Sequence, residues 1–232
     1  MDKVFAVIGL GAFGRQICRT IMNKGGKVIA LDNNPALVES VNEWVTRAIL
    51  LDSTDQAALA SVSLEDVDVA VVAIGDNIEA SVLTTAILKE IGLPFVLARA
   101  VSEIHEKVLR KVGADEVINL EIEEGVRIAS RLIAPEVADR IPVAEDISLA
   151  EVFLPADFQK KRVADLQLQK KFRLSLAAIK HTLVDVDELG NPLRKDEVKF
   201  PQEDTELSDG DVLLVFGRDD DIDAFIRAGR GE

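Results

Sequence analysis

Gly9, Gly11 and Gly14 stand at GxGxxG spacing directly after an apolar run, VFAVI. That pattern suits the holding of a pyrophosphate. Gly9 permits a tight turn, Gly11 lets the backbone approach the anion, and Gly14 lets the following helix pack on the strand. Ala12 and Phe13 lie between the last two glycines, so the amides of this stretch would face the ligand at a helix N-terminus, where the dipole favours negative charge. An acidic element follows. Asp32 ends the next apolar run about 20 residues later, the place where such folds hold ribose hydroxyls. Asn33 and Asn34 come next, with no arginine there to take a 2′-phosphate.

The remaining candidates also close apolar runs. Residues 46–51 lead into Asp52, Ser53 and Thr54; residues 67–74 end at Ala73 and Ile74 and enter Gly75, Asp76 and Asn77; residues 95–98 end at Arg99. In a parallel sheet the strand C-termini share one edge, so these groups are expected to converge there. Asp52 and Thr54 have a helix-capping explanation as well as an adenine-side one, and Arg99 is well placed for charge-assisted bonds to phosphate.

The elements that would hold them alternate with short connections. A helix through Ile17, Ile21 and Met22 ends at Gly25-Gly26, and strands are expected at 4–8, 28–31, 46–51, 67–74, 95–98 and 117–118. Helices are expected around Ala57–Leu59, capped by Ser53 or Thr54, over 78–91, after Ser102 and over 121–133. Such alternation predicts a Rossmann-like, doubly wound parallel sheet. After Ala134 the rhythm breaks. Residues 135–146, with two prolines and mixed charge, are expected to be a linker between a domain at 1–134 and one at 147–232. The second is expected as a small α+β lobe, with strands at 148–154, 174–180 and 211–216, a helical stretch at 162–168, a polar loop around 187–192, and a final helix at 219–227 whose first turn holds Asp219, Asp220 and Asp221.

Composition narrows the classes. The 232 residues are 48% hydrophobic, enough for a proper core, and the net charge of -14 opposes nucleic acid and anionic lipid. The single cysteine, Cys18, rules out an intramolecular disulfide and is expected to be buried. No apolar run approaches the ~20 residues of a membrane span, and no leader precedes the first strand, so a soluble cytoplasmic protein is expected.

The combination FAVIGLGAFG, Asp32, LLDSTD, VAIGDNIEAS, KVLRKVGADEVINLE and a later DGDVLLVFG resembles the cytoplasmic regulatory subunits (KtrA- and TrkA-like) of bacterial Ktr and Trk potassium-uptake systems. Their shared unit is the RCK, or regulator of K+ conductance, domain. The resemblance runs from Lys3 to about Ala228 in element order as well as motif. It implies an RCK N-lobe that binds ATP or ADP, with NAD as another candidate, and a TrkA-C-like C-lobe. It also implies a homodimer that assembles into a ring, typically octameric, docked on a KtrB- or TrkH-like membrane potassium transporter at the inner face of the membrane. Gly9, Gly11, Gly14, Asp32, Asp52 to Thr54, Gly75 to Asn77 and Arg99 match the family's lining positions. Glu121 matches a glutamate that in some members lies near the phosphates at the dimer interface and helps hold a divalent cation, Mg or Ca; a carboxylate in a helix's first turn is its other explanation. This chain departs in having Ala12 where many members carry arginine, so ATP, ADP and NAD stay open, with Arg15 or Arg99 as substitutes.

Two other functions share the N-terminal motif. A dehydrogenase also needs a proton-handling residue near the nicotinamide, but the chain has no tyrosine, and its histidines, His105 and His181, are both expected at the surface. An NADH-sensing repressor needs a basic helix-turn-helix, and none is visible.

Overall fold

The computed structural model describes residues 3–186 and 192–229, which fall in two compact units, 1–124 and 125–232. In the first, strands and helices alternate in chain order. They are β1 (Val4–Ile8), α1 (Ala12–Asn23), β2 (Lys27–Asp32), α2 (Pro35–Asn42), β3 (Arg47–Leu50), α3 (Gln56–Ser61), β4 (Val69–Val72), α4 (Ile78–Glu90), β5 (Val96–Arg99), α5 (Glu103–Lys111) and β6 (Glu116–Ile118). The helix α6 (Leu120–Ile133) follows and runs across the boundary between the units.

The six strands form one sheet in the order β3-β2-β1-β4-β5-β6, all pairs parallel. The chain winds outward from β1 to β3, then returns to β4 on the other side of β1, so the connections diverge between β1 and β4. That divergence opens a crevice at the strand C-termini. Short apolar strands suit this place because both faces are covered. Ala6 and Ile8 join a core with Leu59, Leu88 and Leu109, whereas Val7 joins one with Cys18, Val28 and Val41. Cys18 is buried as expected, and burial pushes its thiol up to about 12.

Several local features differ from expectation. The helix α2 was not anticipated, although Asn34 caps it by accepting from the Ala36 amide at 2.9 Å and Pro35 occupies the first turn. The cap of α3 is Asp55, whose carboxylate accepts from the amides of Ala57 and Ala58, in place of Ser53 or Thr54. Ser102 does cap α5, accepting from the His105 amide. His105 is buried, not at the surface: its Nδ1 accepts from the Val101 amide at 3.4 Å, and desolvation holds its pKa below the usual value.

The second unit is an antiparallel sheet with helices. Its elements are β7 (Val137–Ala144), β8 (Ile147–Phe153), α7 (Val163–Leu166), α8 (Leu168–Phe172), β9 (Ser175–Val186), β10 (Pro192–Lys199), β11 (Asp211–Arg218) and α9 (Asp219–Ala228). The five strands are ordered β10-β9-β11-β8-β7. Val152, Leu213 and Val215 pack with Phe225 of α9, which stacks on Phe158 at 5.1 Å. The expected linker at 135–146 thus contains an edge strand, paired to β8 with irregular register near Pro142. Proline is tolerated there because an edge strand has one side free of ladder bonds. His181 is half-buried and pairs through Nδ1 with Asp211 at 2.7 Å, again unlike a free surface histidine. The loop expected around 187–192 falls mainly on residues 187–191, outside the described residues.

Candidate functional site

The crevice at the strand C-termini is a cleft of about 620 Å³. Gly9, Gly11, Asp32, Asn33, Asp52, Ser53, Thr54, Ala73, Ile74, Gly75, Asn77, Arg99 and Glu121 all line it. Three other expected residues do not: Ala12, Phe13 and Gly14 lie in the first turn of α1, and Arg15, a candidate substitute for the missing arginine, is also absent from the lining. Ile8, Asn34, Leu37, Leu51, Ala80 and Val101 line the cleft without having been singled out. Asn34 could have been found from the Asn-Pro pair that starts α2. Val101 and Ala80 carry no chemical signal of their own.

The glycines differ in what requires them. Gly9 has φ +94°, and a Cβ there would meet the Ala73 carbonyl carbon at 3.1 Å. At Gly14 a Cβ would lie 1.9 Å from the Gly9 carbonyl oxygen, so this residue serves the packing of α1 against the turn. Gly11 is different. Its φ of -61° and ψ of -174° suit any residue, and a Cβ there would meet nothing within 4 Å. The protein itself therefore does not need glycine at this position. Gly11 caps α1 without a side-chain hydrogen bond, and no acidic residue occupies the helix's first turn. The amides at this N-terminus are thus left for an anion.

Asp32 ends β2 next to this turn. Its Oδ2 accepts from the Leu10 amide at 2.6 Å and its Oδ1 from the Asn34 amide at 2.8 Å. Each oxygen keeps a second lone pair, so the carboxylate still has acceptor capacity for a hydroxyl. Further along, Asp52 Oδ1 accepts from the Thr54 amide at 3.0 Å and the Thr54 hydroxyl at 2.7 Å, and these bonds hold its carboxyl below the usual aspartate range. Ser53 has its hydroxyl bonded to that of Thr84 on α4 at 2.7 Å, both buried. Asn77 caps α4, accepting from the Ala80 amide.

Arg99 supplies positive charge in the cleft. Its guanidinium lies 5.7 Å over the Phe13 ring, a cation–π distance, and close upon Gly75, where a Cβ would meet Nη1 at 2.8 Å. Its Nη2 donates to Glu121 in the first turn of α6, which holds the Glu121 carboxyl below its usual range. Its Nε is buried with no hydrogen-bond partner among the described residues. Among those residues no group of three or more His, Cys, Asp or Glu side chains could hold a metal ion. Glu121 is bound to a guanidinium instead, so the donor set of one chain does not fit a resident Mg or Ca ion.

The cleft is chemically polarised. One end offers helix amides and a guanidinium, suited to anions; the other offers Asp32 and Asp52, suited to hydroxyl and amino donors. A parallel sheet in this order, with a glycine turn and a carboxylate at neighbouring strand tips, defines a Rossmann-like fold of the nucleotide-binding class. The TrkA-N domain family matches residues 5–120 and the TrkA-C domain family residues 149–228. The chain belongs to the TrkA and Ktr family of potassium uptake proteins. It is 34% identical over 225 residues to the Ktr system potassium uptake protein C of Bacillus subtilis, covering 97% of this chain and 96% of that one. It is 32% identical over 221 residues to the Ktr system potassium uptake protein A of Vibrio alginolyticus, covering 95% of each. Among solved structures, the GsuK channel bound to NAD shares the fold, with a TM-score of 0.65 at 15% identity; the match covers 100% of this chain and 40% of that one. Among the described residues no helix is long and apolar enough to cross a membrane.

Proposed function

We propose that this chain is the cytoplasmic, nucleotide-binding regulatory subunit of a potassium-uptake system and that it acts by binding and not by catalysis. The observation that carries this is Gly11: a residue whose missing side chain nothing in the protein requires, at a helix N-terminus without a side-chain cap and beside Asp32. A nucleotide accounts for both. Its phosphates would lie on the α1 amides and near Arg99, its ribose hydroxyls on Asp32, and its base toward Leu37, Leu51 and the Asp52–Thr54 turn. ATP and ADP are the ligands that the resemblance of its motifs implies, and NAD stays a candidate because a neighbour that shares the fold is bound to NAD. The residues of 1–124 form the nucleotide unit in this scheme.

Self-association is part of the same proposal. In α6, Ile122, Val126, Ile128, Leu132 and Ile133 are all exposed, an apolar surface of a kind monomers seldom leave uncovered. We assign its cover to a second copy of the chain, as the first contact of a ring whose shape responds to nucleotide and so regulates a membrane potassium transporter. A ligand shifts such an equilibrium only by its difference in affinity for the two states.

The test is calorimetric titration of nucleotide-free protein with ATP, ADP, AMP and NAD. Micromolar or tighter binding of at least one is expected, and Asp32→Ala should weaken all adenine nucleotides by a similar factor, since its lost bonds lie away from the phosphates. Absence of binding by every one, or full affinity in Asp32→Ala, would overturn the assignment.

A further inference from the structure

The nucleotide site proposed above is the premise here, and the pair formed by Arg99 and Glu121 extends it. The Nε and Nη2 groups form one edge of a planar guanidinium, an edge that matches two oxygens of a single anion. In this protein the edge is half used: Nη2 donates to Glu121, while Nε is buried without a partner among the described residues. A buried donor left in that state carries a free-energy cost that an incoming acceptor removes. We infer that Glu121 is the resident counter-ion of Arg99, and that a nucleotide phosphate takes its place on the guanidinium, so that Glu121 sets how strongly the site takes phosphate.

Three features favour exchange over a positioning role for Glu121. Arg99 is already placed by packing, between the Phe13 ring and the backbone of Gly75, and does not need the carboxylate to hold it. The Glu121 side chain is 51% exposed, so its release into water is easy and the pair is weak in the way of partly solvated ion pairs. A phosphate also brings more charge and a second oxygen to the same edge. Glu121 would then stand close to a more negative group, at the start of α6, the helix that runs out of the nucleotide unit. This gives the glutamate an effect opposite in sign to that of a cation ligand. A cation-holding glutamate strengthens nucleotide binding; a competing one weakens it.

The experiment is titration of the full chain with ADP and ATP, with EDTA and again with Mg, in the parent, Glu121→Gln and Glu121→Ala. With EDTA both variants should bind ADP about fivefold tighter than the parent, the size expected when a weak ion pair no longer has to be broken. In an Arg99→Gln background the same change at Glu121 should have no effect, because the competition has been removed. Weaker or unchanged ADP binding by both variants in EDTA overturns the exchange. If the variants are weaker only with Mg present and unchanged without it, Glu121 is a cation ligand and the inference fails. If the parent binds neither nucleotide, the proposed function fails first, and the inference with it.

Discussion

Replacing Gly11 by alanine separates what the ligand requires from what the fold requires. The backbone there already has an extended conformation open to alanine, and beyond its chain neighbours the added Cβ has no protein atom within 4 Å. The only local cost is a poorer helix cap, about 0.5–1 kcal/mol. A chain of this size should therefore melt only about 1–4 °C lower. Binding should suffer far more. The methyl group stands where the phosphate would approach the α1 amides, and displacing the anion loses at least one charge-assisted hydrogen bond of about 1.5–3 kcal/mol. ADP affinity should fall about 10- to 100-fold. Calorimetric titration measures this, with thermal unfolding run on the same sample. Gly14→Ala is the contrast: its Cβ would lie 1.9 Å from the Gly9 carbonyl oxygen, so it should lower the melting temperature itself. If Gly11→Ala binds ADP within twofold of the parent and melts alike, no phosphate approaches that turn and the open Cβ position has no ligand to explain it.

Two further outcomes are expected. Val126→Asp on the exposed stripe of α6 should leave thermal unfolding nearly unchanged while shifting sedimentation to a smaller species; an unaltered association state would remove α6 from the interface. His105 is buried, and desolvation lowers its folded pKa below the ordinary 6.5, so the unfolded chain binds the proton more readily. Its contribution is constant above that value and is lost as pH falls below it, with a slope of up to about 1.4 kcal/mol per pH unit. Urea unfolding between pH 7.5 and 5.5 should show this fall, and a profile equally steep in His105→Gln would assign the slope elsewhere.

Much of the first unit was legible because two patterns coincided: short apolar runs at strand length, and turn or charged residues closing them. Asp32 and the glycine turn followed from spacing alone, and the six-stranded sheet from the alternation. The helix α2 escaped because its apolar content is modest, though Asn34-Pro35 is a start signal by cap chemistry. In the second unit β7 was hidden by Pro135, Pro142 and the charges between them, since proline reads as a break unless the strand is known to be an edge. β10 was hidden likewise, its sequence PLRKDEVK lacking the apolar alternation of a half-buried strand. The pairing of Arg99 with Glu121 joins a strand tip to a helix start 22 residues on. Each had an adequate local explanation, and only the fold brings them together.

The carboxylate of Asp32 has a thermodynamic consequence. By accepting from both the Leu10 and Asn34 amides, it fastens the glycine turn to the start of α2 before any ligand arrives. Two loops that would otherwise have to be ordered on binding are already arranged, so little conformational entropy remains to be lost there. Association should accordingly be fast and nearly rigid at this end of the cleft, with differences between nucleotides appearing mainly in how quickly they leave.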